Sequence, residues 1–168
     1  MSREHPLAHL SPGGPGVGKG TQCHLLSSKF FPRVQHFSAG ELLRQAAVQD
    51  TPQGALIRET LKEGAIVPGE ITIGLLQSAI ESSSAEIALI DGFPRKIDQG
   101  HLFEQNVTPC KFALFFDAPQ EEMYQRLLHR AQQSKALGKE RSDDNESSIQ
   151  KVSIFSRQEN NPFLKSSL

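Results

Sequence analysis

The stretch GGPGVGKGTQC, residues 13–23, decides the fold of this 168-residue chain. It fits the phosphate-loop pattern G-x-x-x-x-G-K-[ST] up to Lys19, and Gly20 then displaces the hydroxyl residue to Thr21. Glycines let backbone N–H groups approach phosphate oxygens closely, and the helix expected next adds the positive end of its dipole. The stretch therefore predicts a nucleotide phosphate site, with a glycine-rich surface turn as the alternative.

The composition excludes several classes of protein. The 18 basic and 19 acidic residues nearly cancel, and no basic and aromatic cluster indicates a nucleic-acid surface. No apolar run of about 18 residues predicts a membrane span, and the first residues lack the apolar stretch of a signal peptide. Cys23 and Cys110 are interpreted as core residues in a reducing compartment. We expect a cytoplasmic monomer, with a nuclear location left open, and no nucleic-acid or membrane partner.

Strand and helix patterns alternate along the chain, which is typical of an α/β fold with a parallel sheet. EIALID at 86–91 and KFALFFD at 111–117 are apolar runs that we predict as strands, ending in Asp91 and Asp117. Ligand sites in open parallel sheets lie beyond the carboxyl ends of strands, so we expect the site there. A short strand followed by a helix is predicted in QHFSAGELLRQAAV. Helices are predicted in EITIGLLQSAIESS, in PQEEMYQRLLHRAQ and in TPQGALIRETLKEG, the last with Thr51 as N-cap before Pro52.

The two ends of the chain depart from this pattern. EHPLAHLSP, residues 4–12, has two prolines and two histidines where a buried Val/Ile strand normally precedes a phosphate loop. Proline is poorly tolerated in a central strand, so the sequence leaves open whether this segment pairs as a strand. NNPFLKSSL, residues 160–168, stops soon after the last predicted helix. We therefore expect the last strand and helix of the fold to be missing.

Five motifs occur in the order GGPGVGKGTQC, SAGELLR, GAIVPGEIT, LIDGFPR and RSDDN. With them, the chain from Gly13 to about Lys151 resembles the nucleoside monophosphate kinases, the adenylate kinase and UMP/CMP kinase family. SAGELLR and LIDGFPRKIDQ look closest to the eukaryotic UMP/CMP kinases, particularly the fungal uridylate kinases. The resemblance implies one P-loop kinase domain over residues 1–168: an α/β fold whose parallel sheet is flanked by helices. It also implies a helical insertion for the nucleoside monophosphate (NMP) at about 38–67 and a lid at about 131–141.

The resemblance implies an ATP site with Mg²⁺ as cofactor. Phosphoryl transfer brings many negative charges together, so catalysis is largely positioning and charge neutralisation. Thr21 and Asp91 would hold Mg²⁺ through water, and the alternative for Asp91 is a cap at a strand end. The implied catalytic residues are Lys19, Arg95, Arg130 and Arg141. The implied ATP-binding residues are Gly16, Val17, Gly18, Lys19, Gly20, Thr21 and Arg130.

The resemblance also implies an acceptor site. Arg44 and Arg95 match the pair that grips the monophosphate, because a planar guanidinium bonds phosphate at two points; a solvated surface arginine is the alternative for either. Gln99 matches the position that hydrogen-bonds the base, and Ala39, where many adenylate kinases carry threonine or serine, favours a pyrimidine. The implied NMP-binding residues are Ala39, Gly40, Arg44, Ile66, Val67, Gly92, Arg95, Gln99 and Arg141.

The lid departs from the family pattern. The interval between Arg130 and Arg141 is lengthened, and the position of a third family arginine holds Val152. An arginine aimed at the transition state is worth roughly 10³ to 10⁵ in rate in related reactions. We therefore expect ATP-dependent conversion of UMP or CMP to the diphosphate, impaired in this chain. The alternatives are an adenylate kinase and, in another class, a non-catalytic nucleotide-binding or unstable truncated fragment, as from a misjoined gene product.

Overall fold

The structure, a computed structural model, describes residues 7–11 and 15–136. Within these ranges strands and helices alternate. The chain divides into two units. Among the described residues, the first unit contains 7–11 and 19–115, and the second contains 15–18 and 116–136. The elements are β1 (Leu7–Ser11), α1 (Lys19–Phe30), β2 (Val34–Ser38), α2 (Ala39–Ala47), α3 (Pro52–Lys62), α4 (Gly69–Glu81), β3 (Ile87–Asp91), α5 (Ile97–Asn106), β4 (Cys110–Ala113) and α6 (Gln120–Ala136).

The first unit contains a four-stranded parallel sheet in the order β2-β3-β1-β4. Its register aligns the carboxyl ends of three strands, since Ser11 and Ser38 both pair with Asp91. β3 lies between β1 and β2, and its middle residues Ala88, Leu89 and Ile90 are buried. The predicted α/β fold with a parallel sheet is confirmed. The alignment brings the segments that follow β2 and β3 to one edge of the sheet.

The sequence left open whether the residues before the phosphate loop pair as a strand, and the structure shows that they do. β1 forms within residues 4–12 and pairs with β3 on one side and β4 on the other. Pro6 and Pro12 flank the five strand residues rather than interrupting them, so no missing N–H breaks the ladder. The register with β4 shifts between Ala8 and His9. A five-residue strand therefore fits between two prolines that made the whole segment look unsuitable.

The strand predicted over 111–117 is shorter than expected. β4 ends at Ala113, so Asp117 lies beyond the strand rather than at its end. Most of the strand is exposed, and Phe112 keeps about half of its surface accessible (51%). The sequence also did not predict α5, because the residues IDQGHLFEQN do not form a long apolar helix face.

Local capping explains where the first helices of the insertion begin and end. The Ser38 hydroxyl accepts a hydrogen bond from the N–H of Glu41 at 3.4 Å, and the Thr51 hydroxyl accepts one from Gly54 at 3.0 Å. Thr51 was predicted from its place before Pro52, and this capping role is confirmed. Gly64, with φ +67°, follows the end of α3, where a left-handed residue commonly closes a helix.

Two groups of buried side chains hold the first unit together. The larger one packs α4 and α5 against β2 and β3: Phe37, Ala39, Ile73, Leu76, Ile80, Ala88, Ile90, Phe93 and Phe103. The smaller one lies within residues 38–67 and contains Leu43, Ala46, Ala47, Ile57 and Val67. The segment predicted as an NMP-binding insertion therefore has a small core of its own.

The second unit packs the phosphate loop on α6. Val17, Met123 and Leu127 are buried together, and Phe116 and Ala118 lie against them. The predicted lid is described only as far as Ala136, where it continues α6. Arg141, Val152 and the expected absence of the last strand and helix lie outside the described residues. In the described ranges, no helix combines the length and apolar character needed to cross a membrane.

Two glycines give opposite predictions for stability. A Cβ at Gly54 would strike the carbonyl oxygen of Gln49 and lie 2.8 Å from that of Ala46. Because both obstacles are backbone atoms, Gly54→Ala should lower the free energy of unfolding by about 1–3 kcal/mol. Gly74 in α4 has nothing within 4 Å, so Gly74→Ala should raise it by up to about 1 kcal/mol. Urea denaturation measures both, and equal effects would contradict this packing.

Candidate active site

The phosphate loop needs glycine at two positions for its backbone shape. Gly16 has φ +81° and Gly18 has φ +100°, a region in which residues with a Cβ are strained. A Cβ at Gly16 would also lie 2.6 Å from the carbonyl oxygen of Met123 and 3.1 Å from Cγ of Leu127. The loop therefore approaches α6 more closely than any side chain at position 16 would allow.

Arg126 contacts this loop and was missed from the sequence. Its Nη1 donates a hydrogen bond to the carbonyl oxygen of Val17 at 3.4 Å, while Nη2 pairs with Glu122 at 2.8 Å. Arg126 and the predicted Arg130 are four residues apart on α6, and this spacing places both on one helix face. That spacing is the signal that would have found Arg126. Arg130 is half-buried on the same helix.

The first turn of α1 lies against the carboxylate of Asp91. Lys19 begins the helix, and a Cβ at Gly20 would be 3.3 Å from Oδ2 of Asp91. The glycine inserted before Thr21 thus leaves room for that carboxylate. The carboxylate of Asp91 and the hydroxyl of Thr21, an exposed residue directly after Gly20, are oxygen groups of the kind that Mg²⁺ accepts alongside water. The donor set fits Mg²⁺, and the metal roles of Thr21 and Asp91 stay predictions.

His36 on β2 approaches the same carboxylate from the neighbouring strand. Its Nε2 lies 3.7 Å from Oδ2 of Asp91, and the two side chains keep 18% and 13% of their surface exposed. Among the described residues, Nε2 of His36 is the buried side-chain polar atom without a hydrogen bond. His36 was not predicted, although it lies two residues before Ser38, whose partner in the sheet is Asp91. The Asp91 carboxylate is therefore bordered by an imidazole as well as by α1.

Six of the predicted NMP-binding residues line one small pocket of the first unit, with a cavity volume of about 20 Å³. We call it the Gln99 pocket. The six are Ala39, Ile66, Val67, Gly92, Arg95 and Gln99, and the pocket is completed by Leu43, Leu61, Ala65, Thr72 and Phe93. Residues from α2, α3, the α3–α4 connection, α4, the segment after β3 and α5 therefore meet at one place. The sequence missed Thr72 and Phe93.

The amide of Gln99 is fixed by the backbone of the segment after β3. Its Oε1 accepts a hydrogen bond from the N–H of Arg95 at 3.0 Å, and the residue is buried (6% exposed). Since a backbone N–H only donates, the bonded atom must be the amide oxygen, which leaves the NH₂ group as donor. Gly69 lies close by, because a Cβ there would be 3.1 Å from Cγ of Gln99.

The two predicted phosphate-gripping arginines are held differently. Arg95 is exposed, lines the Gln99 pocket, and donates from Nε to the carbonyl oxygen of Gly92 at 3.5 Å. Arg44 pairs with Glu41 at 3.0 Å, and its Nη1 lies 3.4 Å from where a Cβ of Gly40 would be. Gly40 and Arg44 are therefore neighbours on α2, but neither is among the residues that line the pocket.

The glycines of the phosphate loop give a second stability prediction. In Gly16→Ala, the added Cβ would lie on a left-handed backbone and clash with the Met123 carbonyl oxygen. In Gly18→Ala, the backbone is left-handed as well, but the heavy atom nearest to the added Cβ is 3.8 Å away. The strain alone costs about 1–2 kcal/mol. Gly16→Ala should therefore lower the melting temperature more than Gly18→Ala in a thermal melt. A larger loss for Gly18→Ala would contradict the packing of the loop on α6.

Comparison with known proteins gives the family. The adenylate kinase family model matches residues 12–165. A uridylate kinase of Schizosaccharomyces pombe is 48% identical over 145 residues, which cover 83% of this chain and 72% of that protein. UMP-CMP kinase 3 of Arabidopsis thaliana is 45% identical over 152 residues, covering 89% and 70%. Adenylate kinase isoenzyme 1 of Caenorhabditis elegans is 42% identical over 143 residues, covering 83% and 64%.

The match covers nearly all the described residues, including the phosphate loop and the whole Gln99 pocket. The parallel sheet, with the phosphate loop after β1, agrees with it. The chain therefore belongs to the adenylate kinase family.

Proposed function

We propose that this chain transfers the γ-phosphoryl group of ATP to UMP or CMP, forming ADP and the pyrimidine nucleoside diphosphate. The observation that carries the proposal is the Gln99 pocket, in which six residues chosen from the sequence for the acceptor converge. The relatives named uridylate kinase and UMP-CMP kinase, at 48% and 45% identity, support a pyrimidine acceptor.

On the donor side, backbone N–H groups of the loop and the charge of Lys19 neutralise the ATP phosphates. The positive φ of Gly16 and Gly18 supports this role, because it lets N–H groups turn toward an anion. Mg²⁺ bound with ATP would supply further charge neutralisation, with Thr21 and Asp91 as its proposed contacts through water. The Asp91 carboxylate lies beside Gly20 and His36, which supports the proposed role.

On the acceptor side, Arg44 and Arg95 neutralise the phosphate of the monophosphate while Gln99 meets its base. The backbone N–H of Arg95 donates to Oε1 of Gln99, so the amide for the base and the backbone that carries the Arg95 side chain keep a fixed relation. The ion pair with Glu41 likewise limits the guanidinium of Arg44. Such preorganisation is what positioning catalysis requires.

On the lid side, we propose that Arg130 and Arg141 stabilise the transferring group. Val152 brings no charge where the family resemblance expects a third arginine, so we expect slower turnover than that arginine would give. Arg130 lies on α6, and the other two residues lie outside the described part of the chain.

A second candidate is adenylate kinase activity, favoured by the 42% identity to a protein of that name. Ala39 favours the pyrimidine instead. It is buried (2% exposed), lines the Gln99 pocket and offers the base no side-chain hydrogen bond. Many adenylate kinases carry threonine or serine where the resemblance places Ala39.

The test is ADP release from ATP–Mg in the presence of UMP, CMP, dCMP or AMP. UMP or CMP should give the highest kcat/KM. Lys19→Met should lower it about 10²–10³-fold, the scale of losing one charge-stabilising donor. The matched control is Lys29→Met, at the other end of α1, where the ammonium lies over the ring of Phe30 at 5.5 Å. It should leave the rate unchanged.

The proposal fails if no monophosphate accelerates ADP release above buffer. A thermal melt with and without ATP–Mg then separates the remaining alternatives. A cooperative melt that shifts upward with nucleotide indicates a non-catalytic nucleotide-binding protein, because a ligand that binds the native state stabilises it. A melt without cooperativity indicates an unstable fragment. Highest activity with AMP would favour the adenylate kinase alternative.

A further inference from the structure

Thr72 is a polar residue at a buried position of α4. Its exposed fraction is 6%, and it belongs to the buried stripe of this helix together with Ile73, Leu76 and Ile80. A threonine on such an apolar stripe is unusual, since most threonines lie at the surface. It also lines the Gln99 pocket. The position therefore calls for a partner for the hydroxyl.

The fold itself supplies no such partner within the described residues. Thr60 shows the usual solution in a helix, because its hydroxyl donates to the carbonyl oxygen of Leu56 at 2.8 Å. The backbone N–H of Thr72 donates to the carbonyl oxygen of Pro68 at 3.4 Å, and its hydroxyl has no hydrogen-bond partner among the described residues. In the described ranges, the fully sealed side-chain atom without a partner is Nε2 of His36, so the Thr72 oxygen is not sealed off, and Thr72 lines the pocket. Its hydroxyl is available to a ligand there.

The other groups of the pocket define what that ligand still needs. Thr72 and Gln99 are the uncharged polar side chains among the residues that line it, since Arg95 carries a charge and the rest are apolar or glycine. The Oε1 atom of Gln99 is already used by the N–H of Arg95. Gln99 therefore offers the base two N–H donors, and at most the second lone pair of Oε1 as an acceptor.

Uracil and cytosine differ in which ring groups donate. Uracil carries an N3–H donor between two carbonyl acceptors, whereas cytosine carries an N3 acceptor beside an amino donor. The N–H donors of the Gln99 amide satisfy acceptors of both bases, whereas the donors of the bases find at most one acceptor site left on it. A hydroxyl both donates and accepts by rotating about its C–O bond. It can therefore serve either base without a change in the surrounding packing.

We propose that Thr72 is a specificity-determining residue of the Gln99 pocket, whose hydroxyl hydrogen-bonds the acceptor base and lets one pocket take both uracil and cytosine. This inference rests on the proposed function, because it assumes that the pocket receives a pyrimidine monophosphate.

The experiment measures equilibrium binding of UMP, CMP and ribose 5-phosphate to wild type, Thr72→Val and Thr72→Ser by calorimetry. Valine has nearly the shape of threonine without the hydroxyl, and serine keeps the hydroxyl. Thr72→Val should weaken UMP and CMP about threefold to tenfold, the effect of one net hydrogen bond. Thr72→Ser should stay closer to wild type. Ribose 5-phosphate, which has no base, should bind all three proteins alike.

Two outcomes would overturn the inference. Unchanged affinities for UMP and CMP in Thr72→Val would show that the hydroxyl does not meet the base, and an equal loss for ribose 5-phosphate would show a merely structural role. Wild type that binds neither UMP nor CMP would overturn it as well. By contrast, tight binding that depends on Thr72 without any ADP release would support the inference while removing the proposed catalysis.

Discussion

The alignment of three parallel strand ends is the constraint on which the site depends. Asp91 at the end of β3 pairs with Ser11 of β1 and with Ser38 of β2, so three segments leave the sheet at the same level. Two of these segments supply the Gln99 pocket: α2 begins directly after Ser38, and Gly92 follows Asp91. A shift of one residue in this register would turn every side chain of a strand to the other face of the sheet. The site is thus a consequence of backbone pairing before it is a matter of side chains.

Several glycines are explained better by the close approach of neighbouring atoms than by backbone flexibility. Gly20 makes room for the Asp91 carboxylate, Gly69 lies against Gln99, and Gly16 touches the backbone of α6. In each case a functional or structural group occupies the place that a Cβ would fill. Gln99 likewise has two roles: its amide oxygen accepts a hydrogen bond from the backbone N–H of Arg95, and its amide nitrogen is left to donate to a ligand.

Sequence reasoning predicted those parts of the molecule whose causes are local. The Thr51 cap and β3 follow from short patterns of neighbouring residues, and both are confirmed. The motif pattern was also sufficient to name six residues that meet in one pocket. β1 could not be predicted because its stability comes from pairing with β3 and β4, which are distant in sequence, and such context outweighs composition. Arg126 and Thr72 were missed because their importance depends on what a helix faces, and each looks ordinary within its own helix.

We propose that a pyrimidine monophosphate binds at the edge of the sheet where β2 and β3 end. Amide NMR of the isotope-labelled chain, recorded with and without CMP, tests it most directly. We expect the largest changes in amide chemical shift at the pocket residues Ala39, Val67, Gly92, Arg95 and Gln99. The changes should be small at Leu56 of α3, which is 48% exposed and does not line the pocket. Saturable shifts confined to other parts of the chain, or none at all at these five amides, would contradict it.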